Sequence, residues 1–187
     1  VITQPMKGTR PRGATPLEDA RLRADLVSSS KDRAENLMIV DLLRNDLGRV
    51  CREGSIEVPS LFRVESFATV HHLVSKVSGE LRPGLDALDL LEACFPGGSI
   101  TGAPKLRAMQ VIDELESVSR ELYCGSVFRL GVDGALDSNI TIRTAVRQGE
   151  DLYYWAGGGI VADSDCEGEY QESRDKAAAF LRLLQAE

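Results

Sequence analysis

Trp155-Ala-Gly-Gly-Gly-Ile-Val-Ala162, a short acidic turn, and Glu167-Gly-Glu-Tyr-Gln-Glu-Ser-Arg-Asp-Lys176 form the stretch whose reading decides the fold. The apolar run Leu152 to Ala156 breaks at three glycines, and a helical pattern then continues to Leu184. That order is strand, open loop, helix. On such a helix Glu169, Glu172 and Lys176 fall at i, i+3 and i+7, so two carboxylates and an ammonium share one face. Alone, this is an ordinary solvated helix face. Gly157, Gly158 and Gly159 beside it change the reading, because backbone without side chains lets N–H groups approach an anion closely.

The chain of 187 residues is 43% hydrophobic and 27% charged, enough to bury a core, and suggests one domain or part of a larger one. It lacks an apolar stretch of membrane-spanning length, about 18 residues. Val1-Ile-Thr-Gln-Pro-Met-Lys-Gly-Thr reads as the inside of a fold, so a fragment is expected. Cys51, Cys94, Cys124 and Cys166 lie far apart, which indicates neither a zinc site nor a disulfide framework and favours cytoplasmic thiols. A net charge of −7 argues against a nucleic-acid partner, and an anionic ligand must find its positive charge locally.

Outward toward the N-terminus, Val1 to Gln4 reads as the end of a strand. Pro5 to Gly13 reads as a loop with two prolines, two glycines and the cations Lys7, Arg10 and Arg12. Pro16 to Ser28 predicts a helix with proline in its first turn, and Ser30 offers the N-cap of a second helix, Lys31 to about Leu47. Asp32 and Glu35 in its first turn suit the helix dipole. They also match the spacing of Glu169 and Glu172, and carboxylates without His or Cys select hard cations, Mg²⁺ better than Ca²⁺.

Ser55 to Val58, Leu61 to Thr69 and Val70 to Leu81 predict antiparallel strands, with His71 and His72 on opposite faces. Asp86 to Phe95 predicts a helix. Gly97-x4-Gly102 has the spacing of a phosphate loop, but Ala103-Pro104 stands where Lys-Ser/Thr is required, which excludes a nucleoside triphosphatase of that type. A helix from this loop through Leu115 follows, then three strands, Cys124 to Val132, Asn139 to Arg147 and Leu152 to Ala156. Arg143, placed in the second of them among apolar neighbours, needs an anion, whether a structural carboxylate or a ligand's.

Five segments together carry a resemblance: Pro5 to Thr9, Glu35 to Gly48, Phe95 to Lys105, Asp137 to Thr144 and Ala156 to Ser164. Over essentially the whole chain they resemble the chorismate-utilising enzymes. The resemblance implies an α/β (α+β) layered sandwich of two mostly antiparallel sheets with flanking helices, holding chorismate and Mg²⁺ in a cleft. It implies Glu35 and Glu172 as metal ligands with Asp32 and Glu169 nearby. Tyr123 and Arg143 would grip the enolpyruvyl carboxylate, and Thr9, Gly157, Gly158, Gly159 and Lys176 would surround the ring carboxylate. His72 and Ser99 would line the pocket.

Lys7 is the discriminating residue. Members forming anthranilate usually carry alanine there, whereas lysine is similar to the branch that forms aminodeoxychorismate, where the amine is thought to add to the ring at C2. That branch implies a glutaminase subunit supplying ammonia, in p-aminobenzoate and folate biosynthesis. Relatives of this kind are longer, so residues 1–187 are expected to be the C-terminal part of the chorismate-binding catalytic domain and inactive alone. The alternatives are the anthranilate-forming branch of tryptophan biosynthesis and a non-catalytic module binding a ligand or partner.

Overall fold

The computed structural model describes residues 1–162 and 164–185. Its elements are β1 (Ile2–Thr3), β2 (Met6–Pro11), α1 (Pro16–Ser28), α2 (Ser30–Gly48), β3 (Glu57–Ser66), β4 (Val70–Ser78), α3 (Ala87–Cys94), α4 (Lys105–Leu115), β5 (Ser126–Leu130), β6 (Leu136–Ile140), β7 (Ala145–Gln148), β8 (Asp151–Tyr154) and α5 (Cys166–Gln185). They divide into two compact units, Val1–Lys105 and Leu106–Glu187, the latter described to residue 185. Helices and antiparallel strands are mixed, an α+β composition as expected.

In the first unit β4 is the central strand of an antiparallel sheet. β3 pairs along one edge, and β1 and β2 pair end to end along the other, meeting at Pro5. Leu73 and Val77 of β4 are fully buried. Against the sheet lies α2, whose buried residues Asn36, Ile39, Val40 and Leu47 recur at helical spacing. Val40 and Leu47 pack with Val50, Cys51, Val77 and Ala93 into the core. Truncating Leu47 to alanine would cost about 2–5 kcal/mol, the range for an emptied aliphatic site.

Three expectations about this unit are corrected. Residues 6–11 are a strand, because the edge of β4 offers partners that outweigh the proline and glycine punctuation; Gly8, at φ 79°, takes up a bulge between Lys7 and Thr9. The N-cap of α2 is Ser29, whose hydroxyl accepts from the Asp32 N–H. Ser55 to Val58 and Leu61 to Thr69 merge into β3, whose register shifts twice against β4.

The second unit holds two hairpins, β5–β6 and β7–β8, followed by α5. Here the expected strand Asn139 to Arg147 is broken. The Thr141 hydroxyl donates to the Leu122 carbonyl, the Cys124 N–H donates to the Thr141 carbonyl, the Thr141 N–H donates to the Gly125 carbonyl, and Arg143 adopts φ 55°. Arg143 therefore leaves the ladder and is exposed, so burial among apolar neighbours does not demand its anion.

Candidate functional site

In the second unit the glycine stretch runs beside the polar face of α5. The Lys176 ammonium donates to the Gly157 carbonyl at 2.9 Å and pairs with Glu172 at 2.5 Å. A methyl group on Gly157 would stand 3.1 Å from the Tyr123 hydroxyl, and one on Gly158 would stand 2.5 Å from Glu169 Oε2. A side chain at Gly157 would crowd the Tyr123 hydroxyl, and one at Gly158 would displace the end of the Glu169 side chain. Arg143 and Tyr154 both donate to the Lys176 carbonyl, at 3.3 and 3.4 Å, and Tyr154 stacks on Phe180. Tyr123, Arg143, Gly157, Gly158, Glu169, Glu172 and Lys176 are brought together in this way, while Gly159 has open space around its Cα.

The chemistry of this group is mixed in sign. Ser164 donates to Glu169 Oε1 at 2.5 Å, whereas Glu169 Oε2 is buried without a partner among the described residues. A buried carboxylate oxygen of this kind keeps an acceptor position that a hard cation or a water could fill. Burial, reinforced by the neighbouring Cys124, pushes the Tyr123 phenol up to about 12. It therefore stays a hydrogen-bond donor at neutral pH. Asp163, part of the Ala156 to Ser164 motif, lies outside the described residues.

The first unit carries a second group. Half-buried Lys7 pairs across the sheet with Leu73, and no hydrogen bond or ion pair involving its amine is found among the described residues. Thr9 Oγ1 and His72 Nδ1 share a hydrogen bond of 2.9 Å, and His72 meets the Phe67 ring edge-on. His71, on the other face, is 1% exposed and held by Ser66 at 2.7 Å and Asp19 at 3.1 Å. It is a satisfied core histidine, as the alternation requires. Ser99 sits on a short 3-10 turn, Gly98–Ile100, in the loop before α4.

The acids of α2 differ from one another. Asp32 is engaged by Arg10 at 3.2 Å and packs under Gly8, where an added methyl group would come within 2.9 Å of it. Glu35 is half-buried, with no such partner found among the described residues. Among the described residues no three His, Cys, Asp or Glu side chains form a metal-holding group. Glu35 and Asp32 belong to the first unit and Glu169 and Glu172 to the second. All are hard oxygen donors, the chemistry that fits Mg²⁺.

Several residues that shape these groups carry no assigned partner in the sequence reading. Arg10 holds Asp32, Ser164 holds Glu169, and Lys105 donates to Asp46 at 2.8 Å and to the Cys94 carbonyl at 3.3 Å, tying down the ends of the loop that carries Ser99. Buried Asn36 is another, signalled by a polar residue on the apolar stripe of α2. A cleft along α1 lined by Arg12, Thr15, Asp19 and Arg23 contains none of the expected site residues. In it Arg12 pairs with Asp19, whose carboxyl that guanidinium, aided by the Gly13 N–H, holds well below the usual carboxylate range.

Comparison with known proteins follows the same lines. A family model described as chorismate binding enzyme matches residues 1–182. Aminodeoxychorismate synthase component 1 of Klebsiella aerogenes is 57% identical over 186 residues, which cover 100% of this chain and 41% of that protein. Anthranilate synthase component 1 of Aquifex aeolicus is 51% identical over 185 residues, covering 99% of this chain and 37% of that one. Among solved structures, anthranilate synthase component I from Streptococcus pneumoniae TIGR4 superposes with a TM-score of 0.85 at 42% identity, over 95% of this chain and 39% of that chain. The chain thus spans about two fifths of the length of these relatives.

Proposed function

The chain belongs to the chorismate binding enzymes, and on that premise we propose that it serves the conversion of chorismate and ammonia to 4-amino-4-deoxychorismate, with Lys7 as nucleophile. The observation that carries this reading is the placement of Lys7. Lys7 is half-buried and its amine has no partner found among the described residues, on a strand that carries a bulge at Gly8. A lysine serving as a structural anchor would be expected to hold a carboxylate. Attack requires the neutral amine, so a proton leaves Lys7 before the C–N bond forms.

The amine nitrogen bonds ring carbon C2, both ring double bonds shift by one position, and the C4–O bond breaks, the hydroxyl leaving as water with the proton the amine gives up. Ammonia then bonds C4 as the C2–N bond breaks, returning the lysine and leaving the enolpyruvyl group in place. Tyr123 and Arg143 would hold the enolpyruvyl carboxylate. Thr9, the backbone of Gly157 to Gly159, and Lys176 would surround the ring carboxylate, with His72 and Ser99 lining the pocket. Glu35 and Glu172, supported by Asp32 and Glu169, would hold Mg²⁺, whose charge offsets that of the carboxylates. A dianion in a chain of net charge −7 needs such local positive charge.

This reading implies a glutaminase subunit as ammonia source, a transferase role in p-aminobenzoate and folate biosynthesis, and a cytoplasmic setting in keeping with four free cysteines. No helix among the described residues is long and apolar enough to cross a membrane. A second reading, anthranilate formation, is favoured by the 51% identity to an anthranilate synthase. Incubating the intact protein with chorismate, ammonia and Mg²⁺ separates them: 4-amino-4-deoxychorismate supports the first reading, and anthranilate with release of pyruvate supports the second.

A further inference from the structure

Asn36 is 0% exposed and follows Glu35 on α2. Its Nδ2 donates to the Leu73 carbonyl at 3.2 Å and reaches the Pro5 carbonyl at 3.5 Å, and its Oδ1 accepts from the Ser75 hydroxyl at 2.5 Å. Ser75 extends the network, since its N–H donates to Pro5 and its hydroxyl accepts from the Phe62 N–H, both at 3.0 Å. Phe62 is the residue of β3 at φ 57°. One buried carboxamide thus links α2, the β1–β2 junction and β4, and through Ser75 the irregular part of β3.

Stability alone does not account for this arrangement. A satisfied buried hydrogen bond contributes only about 1 kcal/mol net, and an apolar residue of the same shape is often equivalent when both partners are replaced. Directional bonds add a fixed geometry. Here they fix the backbone at Leu73, which faces Lys7 across the β2–β4 ladder and follows His72, and at Pro5, two residues before Lys7. Along α2 Asn36 also directly follows Glu35, so what anchors one anchors the backbone of the other. We infer that Asn36 is a positioning residue, setting the Lys7 amine on β2 relative to the Glu35 carboxylate on α2 through its bonds to Pro5 and Leu73. The inference rests on the proposed role of Lys7 and adds the element that aims it.

The test uses the intact protein with Asn36→Leu and, in case that variant does not fold, Ser75→Ala, which removes the hydroxyl that donates to Asn36 and accepts from the Phe62 N–H while leaving the Asn36 bonds to Leu73 and Pro5. Two readouts are taken: kcat and KM for chorismate with ammonia and Mg²⁺, and amide hydrogen exchange over Met6–Thr9 with α5 as internal reference. Asn36→Leu is expected to lower kcat roughly 100-fold, the scale of a misplacement of about 1 Å, and Ser75→Ala about tenfold. KM should change much less than kcat, staying within about threefold, because Tyr123, Arg143 and Lys176, the groups proposed to hold the two carboxylates, lie outside α2, β2 and β4. Exchange over Met6–Thr9 should quicken about tenfold in both variants while α5 is unchanged. Unchanged exchange over Met6–Thr9, or wild-type kcat in a variant with quickened exchange, overturns the inference. If the wild-type protein forms no Lys7 adduct, the proposed chemistry falls, and the exchange arm still reports whether Asn36 positions this strand.

Discussion

The Lys176 ammonium stands 2.5 Å from Glu172, one turn back along α5, and bridges to the Gly157 carbonyl at 2.9 Å. Glu172 is 47% exposed at its side chain, so the pair contributes at most about 1 kcal/mol to stability. Its value lies in placing one cation at the glycine backbone. Lys176→Met should therefore leave the urea midpoint nearly unchanged. It should weaken chorismate binding roughly 10- to 100-fold, the loss of one charge-assisted hydrogen bond. Calorimetric titration giving wild-type affinity would remove Lys176 from the proposed ring-carboxylate surroundings.

Adjacent glycines make a sharper contrast. A methyl on Gly158 would press against Glu169 Oε2, whereas nothing lies within 4 Å of one on Gly159. Gly158→Ala must push Glu169 aside, and Gly159→Ala need push nothing. The first should cut activity of the intact protein by about tenfold or more, while the second should unfold within about 0.5 kcal/mol of wild type. Equal effects of the two substitutions on activity and stability would mean that the backbone path between Ala156 and Val161 differs from that described.

The metal proposal predicts a loss that binding can read directly. Glu35→Gln and Glu172→Gln each remove a charged oxygen donor from the proposed set. Each should raise the Mg²⁺ concentration at half-saturation by about tenfold or more in calorimetric titration of the intact protein. Glu114→Gln, on α4, serves as a control and should leave it unchanged. If both site variants bind Mg²⁺ as the wild type does, the metal lies elsewhere.

Stability should also respond to alkali. Burial, with Asp46 nearby, pushes the Cys94 thiol up to about 11 from an ordinary 9.0. The folded state thus holds its proton where the unfolded chain has lost it, and stability declines as the pH rises from about 9 to about 11. Below that window the contribution is constant. Urea unfolding across the range should show this decline, flattened in Cys94→Ala; an identical slope in the variant would assign the decline to other groups.

Where local signals and tertiary partners agreed, the sequence was readable. Proline in the first turn marked α1 at its observed bounds, and the spacing of Glu169, Glu172 and Lys176 put them on the face that meets Gly157 and Gly158. Where a tertiary partner overrode a local signal, it was not. Residues 6–11 carry loop punctuation, yet the edge of β4 recruits them as a strand. Alternation from Asn139 to Arg147 reads as one strand, but the Thr141 hydroxyl bonds Leu122 and the chain turns at Arg143. Asn36 was passed over because its meaning lies in carbonyls 31 and 37 residues away.

Lys7 carries the central claim, and its chemistry leaves a covalent trace. The intact protein, mixed with chorismate and Mg²⁺ without ammonia, quenched rapidly and digested, is read by mass spectrometry. The account predicts that the peptide containing Lys7 gains the mass of chorismate less one water, that ammonia added before the quench discharges it, and that Lys7→Ala abolishes it. A Lys7→Ala protein that makes 4-amino-4-deoxychorismate at the wild-type rate, with no adduct on the wild-type peptide, would contradict the account and leave Lys7 as a positive charge in the pocket.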